Sequence, residues 1–250
     1  TGCALSRPEL PEPEPRQRSL SITEDDRFEW ACYMICFGIN RDYTGLFYDR
    51  PLDRPAAGVH PRLVDLQNAA AAGVDALSID LFILDKYALP VFGQLVDLIT
   101  ENDLPLGLSP FFDGFGNPAI TEDAIVEKVT AWFERFADEP CVVRTEGKPI
   151  IFTFSPACLP AETWQRIFAR LREAGCEGHW IFDGGGPLCL GQKPDFEKVK
   201  PWLDLADGAC TFAPGSVPDR PVLNARLYRE QQKTPGRFWS GSTKIGYWRP

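Results

Sequence analysis

One pattern recurs along this chain and limits the folds that are open to it. A short apolar run ends at a polar residue, and a segment with helical periodicity follows. Residues 104–113 (LPLGLSPFFD) are the clearest example, since this run ends at Asp113 and leads into a loop rich in glycine. Strands that alternate with helices form βαβ units and a parallel sheet. The pattern therefore predicts an α/β protein.

The number and spacing of the apolar runs favour a barrel. Seven runs have the length and composition of buried strands, at residues 28–39, 74–82, 104–113, 148–154, 179–182, 205–212 and 237–240. Six helices are predicted between them, at residues 60–73, 89–99, 121–138, 159–174, 196–202 and 219–232. Even spacing favours a (β/α)8 TIM-type barrel over a doubly wound sheet, and no Gly-x-Gly-x-x-Gly fingerprint is present. Because an eighth strand is missing, we expect a barrel that lacks its last strand and helix in this chain.

The N-terminal stretch differs in composition from the rest. Residues 1–26 are rich in Pro, Glu and Arg, so we predict a poorly ordered linker there and a barrel domain over residues 27–250. The chain opens on Thr-Gly-Cys, which suits the end of a bacterial lipobox with Cys3 as the lipidated residue. We therefore expect an extracellular or cell-surface protein that is held by a lipid anchor.

Charge and cysteine spacing argue against several kinds of partner. The net charge is −9 and the pI is about 4.9, which disfavours nucleic acid, because binding to phosphates needs a basic face. Eight cysteines and two histidines lack the spacing of a zinc site, so no metal or other cofactor is predicted. We expect a monomer with buried free thiols, and one surface disulfide is left open among Cys141, Cys158, Cys176 and Cys189.

The residues at the strand ends supply the candidate chemistry. Active residues of parallel α/β folds stand at the carboxyl ends of strands, which here are Asn40, Asp80, Asp113, Ser155, Asp183, Thr211 and Ser240. The catalytic candidates are Asp113, Asp80 and Asp183, and the substrate-binding candidates are Asn40, Tyr43, Phe115, Asn117 and Trp248. Carboxylates, amides and aromatics without a His or Cys nucleophile are typical of glycoside hydrolysis, in which one carboxylic acid protonates the leaving oxygen and a second acts as base or nucleophile.

These residues also have other interpretations. An aspartate at a strand end commonly caps the next helix or forms a turn. Asp183, before three glycines, is the most open to that interpretation, and Asp113 is the least, because residues 114–120 separate it from the next helix. An esterase using Ser155 is weaker, because the Gly-x-Ser-x-Gly elbow is absent. A phosphate site on the DGGGP loop, residues 183–187, is weaker still.

Several stretches of the sequence, taken together, resemble a known group of glycosidases. The stretches CYMICFGIN (32–40), AAAAGVDALSIDLF (69–82), LGLSPFFDG (106–114) and FADEPCVVRTEGKPIIFTFSP (136–156) are similar to glycoside hydrolase family 71, the fungal-type α-1,3-glucanases, and to the endo-α-mannosidase-like family 99. The resemblance implies a (β/α)8 barrel that cleaves α-glycosidic bonds in a polysaccharide without a metal. Those families carry acids in a W-N-[DE]-x-x-E-like phrase on the last strand, and this chain ends at Pro250 before such a phrase.

The sequence and the resemblance together predict a glycoside hydrolase. Its substrate would be a polysaccharide or oligosaccharide of the α-1,3-glucan or α-mannan type, and the mechanism would be carboxylate acid/base catalysis. Where the resembled families have Asn at the end of the second strand, this chain has Asp80, so roles there need not carry over. The alternative is a non-catalytic carbohydrate-binding barrel on the cell surface, which the missing last strand favours.

Overall fold

Strands and helices alternate along the described chain. The computed structural model describes residues 20–23, 28–33, 60–183, 196–210, 229, 233 and 238–240. The strands are β1 (Trp30–Tyr33), β2 (Ala76–Phe82), β3 (Gly107–Asp113), β4 (Arg144–Thr145), β5 (Lys148–Thr153), β6 (His179–Asp183), β7 (Gly208–Cys210) and β8 (Phe238–Ser240). The helices are α1 (Pro61–Ala71), α2 (Ala88–Glu101), α3 (Glu122–Phe136), α4 (Ala161–Glu173) and α5 (Phe196–Leu203).

Seven of these strands form one parallel sheet in chain order. The order is β1-β2-β3-β5-β6-β7-β8, and the short strand β4 pairs antiparallel with β5. A doubly wound sheet would reverse its strand order near the middle, whereas this sheet adds each strand to the same edge. The predicted α/β class and its parallel sheet are therefore confirmed. Within the described residues no pairing joins β8 to β1, so the closed eight-stranded barrel stays a prediction.

The observed elements overlap the predicted ones, with small shifts at the ends. Every predicted strand overlaps an observed strand, and the first five predicted helices are present. Nearly all of the sixth predicted helix, residues 219–232, lies outside the described residues. The sequence did not predict β4, which is only two residues long and forms a tight hairpin with β5 through Glu146 and Gly147.

Capping residues explain where two of the helices begin. The His60 side chain accepts a hydrogen bond from the Arg62 N–H, and Pro61 fills the first helical position of α1, where a missing N–H costs nothing. Thr121 Oγ1 accepts from the Ala124 N–H at 3.2 Å at the start of α3. The acids Glu122 and Asp123 in the first turn of α3 also favour the positive end of the helix dipole.

The two faces of the sheet bury two separate apolar cores. Alternate residues of the central strands point to opposite faces. One set packs against α2, α3 and α4 and forms the larger core, for example Ile79, Leu108 and Phe182. The other set forms a smaller core, which includes Phe111 and Phe152. We call this second side of the sheet the inner face, because the helical core lies on the opposite side.

A segment before β1 closes the amino-terminal end of the inner face. The Ile22 N–H donates to the Arg144 carbonyl oxygen at 2.8 Å, and the Arg144 N–H donates to the Leu20 carbonyl oxygen at 2.8 Å. Ile22 is 5% exposed and belongs to the inner core. Residues 20–22 therefore bond to and pack against the folded domain, while the predicted linker over residues 1–26 and barrel domain over residues 27–250 stay predictions.

Four of the described cysteines are free thiols, of which Cys158 is partly buried and three are buried, namely Cys141, Cys176 and Cys210. Cys32 is exposed. The disulfide that the sequence left open is thus absent among Cys141, Cys158 and Cys176, while Cys189 lies outside the described residues. Burial raises the pKa of the Cys141 thiol to about 11, so this thiol stays protonated and unreactive. In the described part of the chain, no helix has the length and apolarity that a membrane span requires.

Candidate functional site

The three predicted catalytic aspartates lie together at one end of the inner face. Asp113 and Asp183 are the last residues of β3 and β6, and Asp80 is two residues before the end of β2. Their strand neighbours Phe111 and Ile181 belong to the inner core, which shows that these side chains share that face. The structure therefore brings together the carboxylates that the sequence singled out.

The sheet register sets the spacing of the three carboxylates. Asp80 lies opposite Phe111 and Asp113 lies opposite Phe82, so Asp80 and Asp113 are diagonal neighbours on adjacent strands. The pairing of Phe111 with Phe152, and of Phe152 with Ile181, puts Asp113 and Asp183 at the same level on strands two apart. Two strand spacings amount to about 9–10 Å between their backbones. Asp113 and Asp183 thus stand on either side of the strand between them, β5.

Asp80 is the most perturbed of the three. It is 7% exposed, and its Oδ1 has no hydrogen-bond partner among the described residues. Burial raises the pKa of Asp80 to about 7, and the negative charges of Asp113 and Asp85 add to the shift. Asp80 therefore keeps its proton well above the ordinary range of an aspartate.

Asp113 is held by the glycine that follows it. The Gly114 N–H donates to Asp113 Oδ1 in a short hydrogen bond. Burial raises the pKa of Asp113, and this hydrogen bond opposes the shift. Gly114 has a φ of +104°, and a Cβ there would lie 2.6 Å from the Phe82 ring, so only glycine fits the turn that fixes the Asp113 carboxylate.

Asp183 completes the group on the far side. It is buried at the end of β6 and pairs in register with Cys210. Burial raises the pKa of the Cys210 thiol, and the charge of Asp183 contributes, which places the carboxylate close to that sulfur. The Asp183 side chain thus points along the inner face. The glycine-rich loop after it, the weaker phosphate-site candidate, lies outside the described residues.

The structure does not support a sugar-stacking role for Phe115. Its ring is buried and packs edge-on against Trp164, with ring centroids 4.9 Å apart, inside the helical core. The loop after β3 turns this residue inward because an apolar ring next to Trp164 is more stable there than in water. Asn117 has a structural task in the same loop: its Oδ1 accepts from the Ala119 N–H at 2.9 Å.

Four other predicted residues fall outside the described part of the chain. Asn40, Tyr43 and Trp248, proposed as substrate-binding residues, and Cys3, proposed as a lipidation site, are among the residues whose structure is not described. Their roles stay predictions.

The esterase interpretation requires a histidine base beside Ser155. Ser155 is buried at the carboxyl end of β5, with φ 52° and ψ 48°. His179 begins β6 opposite Ile150, five residues before Ser155, which corresponds to roughly 16 Å along the strand. The other histidine, His60, uses Nδ1 to accept from the Arg62 N–H. Neither of the two histidines in the chain is therefore set up as a base for Ser155.

Sequence reasoning missed several residues on β2, on β3 and in the loop after β2. This loop exposes Leu84 and Tyr87, and the Tyr87 side chain is 62% exposed with Lys86 Nζ 4.9 Å from its ring centroid. Ser78 and Ser109 lie on the inner face, directly opposite each other. Their signal in the sequence was a polar residue an even number of positions before the strand-end aspartate, two in SID and four in SPFFD.

The described residues contain no group of three or more His, Cys, Asp or Glu side chains that could hold a metal ion. The described part of the inner face carries three carboxylates, the Ser78 and Ser109 hydroxyls and the Phe111 ring. This set can donate and accept protons and can hydrogen-bond to hydroxyl groups of a ligand.

Two solved structures have the same fold. Both are endo-α-mannosidases of glycoside hydrolase family 99 from Bacteroides thetaiotaomicron, one of them in complex with bis-tris-propane. Each aligns with a TM-score of 0.53 and 16% sequence identity over 72% of this chain. The chain spans 54% and 51% of the two mannosidase chains, or about half of their length. This likeness shows the fold.

No protein-family model matches the sequence, and no curated protein matches it either. The structural likeness therefore stands on the fold alone. It agrees with the resemblance to family 99 seen in the sequence, and it leaves the resemblance to family 71 as a prediction.

Proposed function

We propose that this chain is a glycoside hydrolase domain that acts on α-linked glycans. The observation that carries the proposal is the group formed by Asp80, Asp113 and Asp183 at the carboxyl ends of neighbouring parallel strands, on the face away from the helices. Active residues of parallel α/β barrels stand at this end of the strands. The fold shared with endo-α-mannosidases of family 99 supports the same conclusion.

The carboxylates divide between two roles in this proposal. Asp80 and Asp113 are neighbours whose charges repel, so the pair holds one proton near neutral pH. That proton passes to the leaving glycosidic oxygen at Asp113, which is nearer the strand end. Asp183 faces the bond from two strands away and acts as the base that activates water, or as the nucleophile. The catalytic pair is thus Asp113 and Asp183, with Asp80 as the proton-holding partner.

The substrate class follows from the resemblance and the fold. An α-mannan is supported by the likeness to endo-α-mannosidases, and an α-1,3-glucan by the phrases shared with family 71. We keep both as candidates, because both present α-linked rings to the same inner face. A cell-surface location with Cys3 as the anchor would suit an enzyme that meets polysaccharides outside the cell.

A panel of α-linked glucans and mannans tests the proposal. The 250-residue chain should release reducing ends from at least one α-linked member, and Asp113→Asn should lower that rate by about 100-fold or more, since a general acid contributes roughly this much. The control is Asp103→Asn, because Asp103 is exposed at φ 49°, a conformation that Asn adopts readily. Unchanged thermal unfolding in both variants would show that the fold is intact.

The outcomes separate the enzyme from the carbohydrate-binding alternative. An unchanged rate in Asp113→Asn would overturn the catalytic assignment. Binding of a glycan without any hydrolysis, by a well-folded chain, would favour the non-catalytic barrel.

A further inference from the structure

Three buried polar side chains lie on the inner face next to the carboxylate pair. Ser78 lies opposite Ser109, and Asp80 lies two residues further along β2, diagonal to Ser109. Alternate residues on adjacent parallel strands point the same way, so these three polar side chains lie on the same face as neighbours. Phe111 is the residue directly opposite Asp80.

Two atoms of this group are buried without partners in the described chain. Ser109 is 0% exposed, and its Oγ makes no hydrogen bond; Asp80 Oδ1 is buried and makes none. Ser78 is already engaged, because its Oγ donates to the Ala31 carbonyl oxygen at 3.5 Å. Leaving a buried polar group unsatisfied costs about 1–3 kcal/mol. A hydroxyl that can donate and a carboxyl oxygen that can accept therefore lie on diagonal positions of adjacent strands, on the same face of the sheet.

We propose that Ser109 is a positioning residue for Asp80: its hydroxyl donates through one buried water to Asp80 Oδ1, so that the proton held by the Asp80–Asp113 pair stays on the cleft side. A water in a polar site with two or more partners is a regular part of protein interiors. With Oδ1 occupied as an acceptor, the proton of Asp80 sits on Oδ2. From there it can be shared with Asp113. The catalytic part of this inference rests on the proposed function.

The charged groups that act on Asp80 come from two elements. Asp113 lies on β3, and Asp85 lies in the loop after β2. Asp85 is itself held there, since its carbonyl oxygen accepts from Lys128 Nζ at 2.7 Å and its Oδ1 accepts from the Tyr87 N–H at 2.8 Å. Both neighbours favour the protonated form of Asp80, and a donor from Ser109 favours the charged form. Removing the Ser109 hydroxyl should therefore raise the pKa of Asp80.

The test is a titration of the Asp80 carboxyl by ¹³C NMR in the full chain, labelled at aspartate and without any glycan. The Asp80 signal is assigned by its loss in Asp80→Asn. We expect Ser109→Ala to raise the pKa of Asp80 by roughly half a unit to one unit, the scale of one hydrogen bond to a charged group. Ser109→Thr, which keeps the hydroxyl, should restore the wild-type pKa.

The matched control is Thr153→Val. Thr153 is also 0% exposed with an unpartnered Oγ1, but it lies on β5 between Phe112 and Phe182, which belong to the helical core on the opposite face. Thr153→Val should leave the pKa of Asp80 unchanged, whatever it does to stability. If Ser109→Ala does not fold, Ser109→Cys, which keeps the volume with a weaker donor, should still raise the pKa of Asp80.

An unchanged pKa of Asp80 in the folded Ser109 variants would overturn the proposal, and so would an equal rise in Thr153→Val. Because the titration needs no substrate, this outcome is independent of whether the chain hydrolyses a glycan. Absence of hydrolysis together with the expected pKa shifts would remove the catalytic role and leave the Ser109–Asp80 link in place.

Discussion

At the scale of single residues, the carboxyl groups differ in how strongly their surroundings oppose ionisation. Asp80 is buried next to Asp113 and Asp85, and its pKa is raised to about 7. Asp113 is less buried and has a backbone N–H on its carboxylate. Pairs of titratable groups whose environments push their pKa values apart are typical of acid/base sites. The glycine at residue 114 is part of this arrangement, because its turn points an N–H at Asp113.

The raised pKa of Asp80 predicts how stability changes with pH. The folded protein holds a proton on Asp80 that the unfolded chain releases near pH 3.8, so the free energy of unfolding should fall as the pH rises from about 4 to about 7. Asp80→Asn removes this loss. We expect it to be more stable than wild type at pH 8, by on the order of 2 kcal/mol, and to show no such gain at pH 4.

Chemical denaturation at both pH values checks this expectation. Asp103→Asn serves as the control, because Asp103 is exposed and should show no pH-dependent gain. Equal stability of Asp80→Asn and wild type at pH 8 would mean that Asp80 is ionised at no cost in the folded state, which would also weaken its role as a proton holder.

At the scale of elements, β3 is the strand on which the site depends. Its carboxyl-terminal half pairs with β5 through Phe111 and Phe112. Its amino-terminal half instead bonds to the segment before β4: the Leu108 N–H donates to the Cys141 carbonyl oxygen at 2.7 Å, and the Val143 N–H donates to the Leu108 carbonyl oxygen at 3.0 Å. One strand therefore bonds to two successive partners, and β5 pairs with β3 only at its carboxyl-terminal end.

The close approach at the start of β3 requires a glycine. A Cβ on Gly107 would lie 2.4 Å from Val143 Cγ2 and 3.0 Å from Leu20 Cδ2. We expect Gly107→Ala to lower the free energy of unfolding by about 1–3 kcal/mol, since overpacking a filled core costs that much. Gly116→Ala, whose new Cβ would meet only Cys158 Sγ at 3.4 Å, is the control and should change it far less. Thermal or denaturant unfolding of the two variants makes the comparison, and equal losses would contradict it.

At the scale of the whole molecule, the two ends of the inner face differ in chemistry. Residues 20–22 cross the amino-terminal end of the strands and bury Ile22 in the inner core with Ala76 and Val143. The aspartates lie at the opposite end. Within the described residues, an apolar segment therefore covers one end of the inner face and carboxylates lie at the other.

This closure predicts that the segment before β1 is needed for stability. Ile22→Ala should lower the free energy of unfolding by about 2–4 kcal/mol, as buried large-to-small changes do. Leu84→Ala, at a residue that is 44% exposed, should change it by roughly 0.5 kcal/mol or less. If Ile22→Ala were as stable as Leu84→Ala by denaturant unfolding, residues 20–22 would not form the base of the domain.

Much of the fold could be predicted from the sequence, because local patterns encode it. The apolar runs and the helix caps at His60 and Thr121 indicate the alternation of strands and helices. The polar residues at the strand ends indicate the candidate functional site. The placement of Phe115 could not be predicted, because its packing partner Trp164 lies on another element and is distant in sequence. Ile22 was missed for the same reason: its partner, Arg144, is distant in sequence.

The division of β3 between two partners has a consequence for the spacing of the candidate site. Only two residue pairs join β3 to β5, fewer than at any other parallel joint in the described sheet, and this joint lies between Asp113 and Asp183. In the proposed mechanism, the distance between these two carboxylates decides whether water fits beside the sugar or the carboxylate attacks it directly. That distance spans the joint with the fewest paired residues in the described sheet.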